Sequence, residues 1–178
     1  MPTLFPYTTL FRSLAEFAYY AEHQLEGRDE ASLRELRERC AGVFLEGAGV
    51  TEIDAASFAG AFGEGLTFRV VEGVPEALER LRSLGLVLAV VSNWDVGLPE
   101  HLERVGLAHW FSEIVTAAAE GVAKPDPRIY AVTLERLGVD AARTLHVGDH
   151  PVYDEQAARN AGMRFAPAPL AAAVETLA

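Results

Sequence analysis

The 178-residue chain has a single cysteine, Cys40, and a single lysine, Lys124. A lone cysteine closes no internal disulfide and has no partner for a thiolate zinc cluster, which points to a reduced, cytoplasmic setting. Positive charge is scarce: 15 Lys and Arg stand against 26 Asp and Glu, a formal net charge of −11. Such a chain repels nucleic acid and anionic membrane alike, so neither is expected as a partner. No apolar run reaches the roughly 20 residues that a bilayer demands, and no basic stretch precedes a signal-type hydrophobic block. Internal repeats are missing too. The remainder is ordinary globular composition, with 50% hydrophobic, 23% charged and 9% aromatic residues. A chain of this length buries roughly two thirds of its unfolded surface and needs no covalent or metal staple.

Two irregularities stand out against that background. All basic residues but one are arginine. A bias that turns indifferent lysines into arginines leaves lysine where a compact ammonium is required, so composition alone marks Lys124 as a functional suspect. The second irregularity is the segment 1–13, MPTLFPYTTLFRS, which has no Ala, Gly, Val, Asp or Glu although the rest is rich in them. Its residues 3–13, TLFPYTTLFRS, match codon for codon the translation of a common sequencing-library adapter. We therefore set residues 1–13 aside from fold reasoning as an adapter-like artefact. The expectation is a parent protein that begins upstream, with its beginning missing here.

From residue 14 to about residue 69 the pattern is helical. Leu33, Leu36, Cys40, Val43 and Phe44 fall on one face at three- and four-residue spacing, with Asp29 or Ser32 as cap. Thr51 and Asp54 open a weaker helix carrying Ile53, Phe58 and Phe62, which is expected to end in Gly60, Gly63 and Gly65. Those glycines follow a helix, so they suit a hinge better than a phosphate-cradling loop. Residues 4–11 have some strand character, but Pro6 disfavours a central strand, and a helix capped by Thr8 or Thr9 and running through Leu14 to about Glu26 is predicted instead.

After Gly73 short apolar strands alternate with helices, the texture of a parallel sheet covered on both faces. Strands are predicted over 86–92, 111–116, 143–147 and 163–166. Helices are predicted over 75–85, 99–105, 127–138 and 155–161, several of them opened by proline and closed by glycine. In open α/β sheets ligands sit beyond the carboxyl ends of the strands. Three such ends are chemically loaded: Ser92 and Asn93 after the first strand, Lys124 in GVAKPDP after the second, and Asp149 and Asp154 in GDHPVYD after the third. A hydroxyl, an ammonium and paired carboxylates at one sheet end suit an oxyanion beside a divalent cation, the hydroxyl and lysine holding phosphoryl oxygens and the carboxylates Mg²⁺. Each has a plainer use: Ser-Asn as a turn, Lys-Pro-Asp-Pro as a rigid lead-in, the aspartates as a turn and a cap. Three coincidences at successive strand ends favour chemistry. His146 and His150 flank Asp149, but a strand-to-loop position gives no i, i+4 metal pair, and packed or solvated histidines are expected.

With these residues in place, the chain resembles the haloacid dehalogenase superfamily, in particular its phosphatase-like members with a helical cap. VVSNWD is similar to the family's second motif, VAKPDPRIY to its third and HVGDHPVYDEQAARNAGM to its fourth, in the family order over about residues 72–165. The resemblance implies a Rossmann-like α/β core over 73–178 and a partial all-helical cap over 14–72. It implies that Ser92 and the Asn93 backbone bind the phosphoryl group of a small phosphorylated metabolite. Lys124 would neutralise charge on nucleophile and phosphoryl, and Asp149 with Asp154 would support Mg²⁺. Catalytic roles are thereby implied for Ser92, Lys124 and Asp149.

The departure is the first motif, Asp-x-Asp followed by a small residue and Thr, which in this family ends an N-terminal central strand. No Asp precedes Asp29 here. That motif supplies the aspartate nucleophile, the general acid/base and two metal ligands, so the chain is expected to lack its first core strand and to be inactive, while the intact parent hydrolyses phosphomonoesters through an aspartyl-phosphate. The alternatives are a metal-independent 2-haloacid dehalogenase and a non-catalytic binding module.

Overall fold

The computed structural model describes residues 14–65 and 67–175. Three helices come first. Helix α1 (Leu14–His23) runs into a 3-10 turn at Gln24–Glu26, and α2 (Glu30–Gly47) follows. Asp29 caps α2 in a reciprocal box: its carboxylate accepts from the Ser32 N–H at 2.8 Å, and the Ser32 hydroxyl accepts from the Asp29 N–H at 3.1 Å. Two of the orphan donors at the helix start are thereby satisfied. Leu33, Leu36 and Cys40 are buried as their spacing predicts, while Val43 and Phe44 are half-buried. Helix α3 (Ala55–Gly65) ends at Gly65, the last of the three expected glycines, after running through Gly60 and Gly63. Each mid-helix glycine costs about 1 kcal/mol against alanine. The compensation is an aromatic cluster in which Phe62 lies 5.5 Å from Phe44 and 6.0 Å from Phe58.

The α/β part opens with α4 (Val74–Ser83), started by Pro75 near its N-terminus, then β1 (Ala89–Ser92), α5 (Leu98–Arg104) and β2 (Glu113–Thr116). Thr116 passes directly into the short α6 (Ala117–Glu120), ended by left-handed Gly121; α7 (Arg128–Leu137) is capped by Pro127 and closed by left-handed Gly138. Next come β3 (Leu145–Gly148), a π-helical turn at Pro151–Gln156, α8 (Ala157–Asn160), β4 (Arg164–Pro167) and α9 (Leu170–Glu175). The strands are shorter than their apolar runs suggest. Leu86 and Val87, expected inside the first strand, are 46% and 56% exposed and precede the ladder. The helix expected over 155–161 is shortened by the π-helical turn, which the His150 ring and the Asp154 carboxylate impose (below).

Pairing is parallel throughout. Strand β1 pairs with β2, setting Ser92 opposite Thr116, and β3 pairs with β4, setting Gly148 opposite Pro167. Parallel neighbours need crossovers, and helices supply them on both faces of the sheet. On one face Ala77 and Leu81 of α4 pack with Val174 of α9. Elsewhere Val115, Ile129, Tyr130 and Ala157 form a core against half-buried Val91 and Met163. Among the described residues the two ladders are not joined by strand pairing. Residues 4–11, with the candidate caps Thr8 and Thr9, lie outside the described residues. Parallel ladders bring the carboxyl ends of β1 and β2 to one edge, and those of β3 and β4 likewise. The expected site residues sit there.

Candidate active site at the strand ends

The strand ends are tied together by side chains. Ser92 is the last residue of β1, and Asn93 follows it. The Asn93 amide clamps the Lys124 backbone from both sides: its Oδ1 accepts from the Lys124 N–H at 2.8 Å and its Nδ2 donates to the Lys124 carbonyl at 2.9 Å. This two-way bond fixes the loop that carries the lysine. From there Lys124 Nζ reaches Asp154 Oδ1 at 2.6 Å, with both side chains nearly buried, 11% and 7% exposed. Asp154 Oδ2 accepts from the backbone N–H groups of Asp149 at 3.1 Å and His150 at 3.0 Å. One set of contacts thus joins the ends of β1 and β3 and the loop after α6. Asn93, Lys124, Asp154 and the Asp149 backbone are thereby brought together, with Ser92 preceding Asn93 at the end of β1.

The sequence explains how the chain reaches this geometry. In β3 successive side chains alternate, so His146 and Gly148 share a face. Gly148 leaves room for Asp154, because a Cβ there would run into the Asp154 carboxylate. His150 caps the following turn with its ring: Nδ1 accepts from the Val152 and Tyr153 N–H groups, both at 3.1 Å. Asp154 is therefore pinned one turn later, beneath the end of β3.

Two residues absent from the expected set complete the cluster. His146 Nε2 lies 3.1 Å from Asp154 Oδ1, and the Tyr130 ring stands edge-on to the His146 ring at 5.1 Å between centroids. The expectation that His146 only packs or faces solvent is corrected here, since it shares the oxygen that Lys124 holds. The available signal was the strand alternation that puts His146 and Gly148 on one face. Tyr130 gave no such signal, since its place in α7 reads as core. Burial alone pushes the Asp154 carboxyl up, but the His146 hydrogen bond, the Lys124 charge and hydrogen bond and the His150 N–H outweigh it. The carboxyl is held well below the usual carboxylate range. Burial, reinforced by the Asp154 charge, pushes the Tyr130 hydroxyl up.

The expected metal role fits this geometry poorly. Mg²⁺ takes oxygen ligands in octahedral geometry. Both Asp154 oxygens are occupied by N–H donors, two on each, and Asp149 is exposed. Among the described residues no group of three or more Asp, Glu, His or Cys is placed to hold a cation. Asp154 thus anchors Lys124. What the cluster offers is a cationic side chain held at the strand ends, a setting that suits an oxyanion.

A second junction lies just beyond Asn93. Trp94 and Asp95 are buried where the first three helices meet the α/β part. Tyr20 of α1 donates its hydroxyl to Asp95 Oδ2 at 2.7 Å, and the Val96 N–H donates to the Gly27 carbonyl at 3.0 Å. Among the described residues no helix is long and apolar enough to cross a membrane.

Comparison with known proteins sets this geometry in a family. A family model described as haloacid dehalogenase-like hydrolase matches residues 6–162. Haloacid dehalogenase-like hydrolase domain-containing protein 3 of Mus musculus is 41% identical over 102 residues, 57% of this chain and 41% of that protein. A phosphoserine phosphatase of Thermus thermophilus is 40% identical over 97 residues, covering 51% of this chain and 38% of the relative. The chain therefore aligns with about two fifths of the length of these relatives. A solved 2-haloacid dehalogenase from Pseudomonas syringae pv. Tomato superposes with a TM-score of 0.62 at 27% identity, over 92% of this chain and 77% of the other.

Proposed function

Because the chain belongs to the haloacid dehalogenase-like hydrolases, we propose that its lineage hydrolyses phosphomonoesters of small metabolites and that the strand-end cluster is the seat of the phosphoryl group. The observation that carries this reading is the lysine held at 2.6 Å from a buried carboxylate and clamped through its backbone by Asn93. In the proposed reaction Ser92 and the Asn93 N–H donate to phosphoryl oxygens. Lys124 turns from Asp154 to the anion and offsets its charge. Asp154, the paired N–H groups and His146 stay behind as the lysine's resting place. The similarity to a phosphoserine phosphatase supports this substrate class.

The covalent step would fall to an aspartate of the full-length parent. A carboxylate oxygen attacks phosphorus, the alcohol leaves, and water then cleaves the aspartyl-phosphate. No Asp precedes Asp29 in this sequence, so in this proposal the chain binds the anion without turning it over. Uncatalysed attack of water on a phosphomonoester is among the slowest reactions known, and positioning alone leaves it slow. The described donors do not compose a Mg²⁺ site, and no step here is routed through one.

The test replaces residues 1–13 with a segment from a close relative that carries Asp-x-Asp and the start of the cap. A generic aryl phosphate is then assayed with and without Mg²⁺. The expected result is no turnover in the unaltered chain and turnover in the graft. In the graft, Lys124→Arg is expected to lose more than about threefold in rate, because a planar fork replaces a point charge. Turnover by the unaltered chain contradicts the requirement for the aspartate. The likeness to a solved 2-haloacid dehalogenase supports a second reading, which wins if a folded graft leaves the phosphate intact and releases halide from a 2-haloacid.

A further inference from the structure

We propose that His146 is a positioning residue that frees Lys124 to leave Asp154, a role that rests on the phosphoryl reading above only for the identity of the anion Lys124 turns to. The Asp154 carboxylate cannot rotate freely, because Oδ2 is fixed by two backbone donors, Asp149 N at 3.1 Å and His150 N at 3.0 Å. Competition is therefore confined to Oδ1. That oxygen accepts from Lys124 Nζ at 2.6 Å and from His146 Nε2 at 3.1 Å. A carboxylate oxygen only accepts, so Nε2 carries the hydrogen in this contact.

The two donors differ in freedom. Lys124 reaches Asp154 on a flexible four-carbon stem. His146 sits within β3, with the Tyr130 ring edge-on at 5.1 Å and the Phe165 ring at 6.4 Å, and cannot follow the lysine away. When Lys124 departs, Oδ1 still has a donor and the buried carboxylate is not stranded. Without His146 the same departure would leave a buried acceptor unsatisfied, and the lysine would stay. His146 thus weakens the resting ion pair by sharing its oxygen.

The single lysine makes this measurable without catalysis. With [ε-¹⁵N]lysine incorporated into the chain as it exists, every Nζ signal comes from Lys124. Exchange of its ammonium protons with water reports how firmly Asp154 holds it. His146→Phe is expected to slow that exchange about fivefold, the factor carried by one hydrogen bond. His146→Gln, which keeps an N–H donor, should stay within about twofold of the parent. His146→Asn, whose shorter side chain cannot reach, should follow Phe and serves if Phe does not fold. A merely structural histidine would lower the melting temperature of all three variants without moving Nζ exchange. Exchange in both Phe and Asn variants that matches or exceeds the parent's overturns the proposal. Inorganic phosphate is then added to the parent chain. An unchanged Nζ signal there, with the ligand-free contrast intact, overturns the phosphoryl reading and leaves the loosening of Lys124 standing.

Discussion

The first three helices and the strand-end cluster hold together by opposite means. Between α2 and α3 the contacts are apolar and redundant: Leu36, Cys40, Ala41, Ala59 and Phe62 are buried together, with Phe44 and Phe58 packed against them. No single atom there is indispensable, and volume decides what fits. Around Asp154 the contacts are few and polar, with four donors meeting two oxygens, two on each. A region held by volume tolerates exchange of one apolar side chain for another of equal size. A region held by donor count does not tolerate even an isosteric change.

The largest effect is expected at Asp154. Replacing it by Ala removes the partner of a lysine side chain only 11% exposed and frees four donors, which should cost about 3–5 kcal/mol in urea unfolding. Asp154→Asn keeps the volume yet aims an amide N–H₂ at N–H donors. A loss of at least ~2 kcal/mol is expected there, and a loss under ~0.5 kcal/mol would break the comparison. In the helical unit Leu36→Ala should cost about 2–5 kcal/mol, but the volume-conserving Leu36→Met less than about 1.5 kcal/mol. Equal losses for Met and Ala would show that Leu36 is held by more than volume.

Tyr20→Phe probes the seam between the two regions. It deletes the single hydroxyl that reaches Asp95 at 2.7 Å and should cost about 1.5–3 kcal/mol, the range for a hydrogen bond to a charged group. The smallest effect is a pH dependence at the same seam. His101 is 7% exposed, and burial, with Arg104 beside it, pushes its pKa below the usual value. The unfolded chain then binds more protons below about pH 6.5, so this contribution is full above that pH and is lost as pH falls. Melting temperatures measured from pH 7 down to pH 5.5 should decline, and His101→Gln should flatten the decline. The Asp154 contribution is separate: its depressed carboxyl supports the fold above about pH 4 and loses that support only as pH falls further.

The same contrast explains what could be read without coordinates. The α2 face, its Asp29 and Ser32 cap and the chemically loaded strand ends are local features, visible in spacing and in residue type. Lys124 announced itself as the only lysine. The partners of Asp154 were not legible in the same way. His146 lies 8 residues away and Lys124 30 away, and only the fold brings them to one oxygen. The residue types around the glycine turn suggested a metal ligand, and the lysine that Asp154 anchors became visible only in the tertiary contacts. Helix α3 was legible in part: it ends at Gly65, the last of the glycines that signal its end, while aromatic burial across to α2 carries it past Gly60 and Gly63.

The central claim, that the strand ends seat a phosphoryl anion through Lys124, is tested most directly by titrating inorganic phosphate against the Lys124 Nζ resonance at constant ionic strength. A saturating change in the parent chain is predicted, weakened about tenfold or more by Ser92→Ala, as expected for loss of one hydrogen bond to a charged group. A response that never saturates, or one that chloride reproduces, would contradict it.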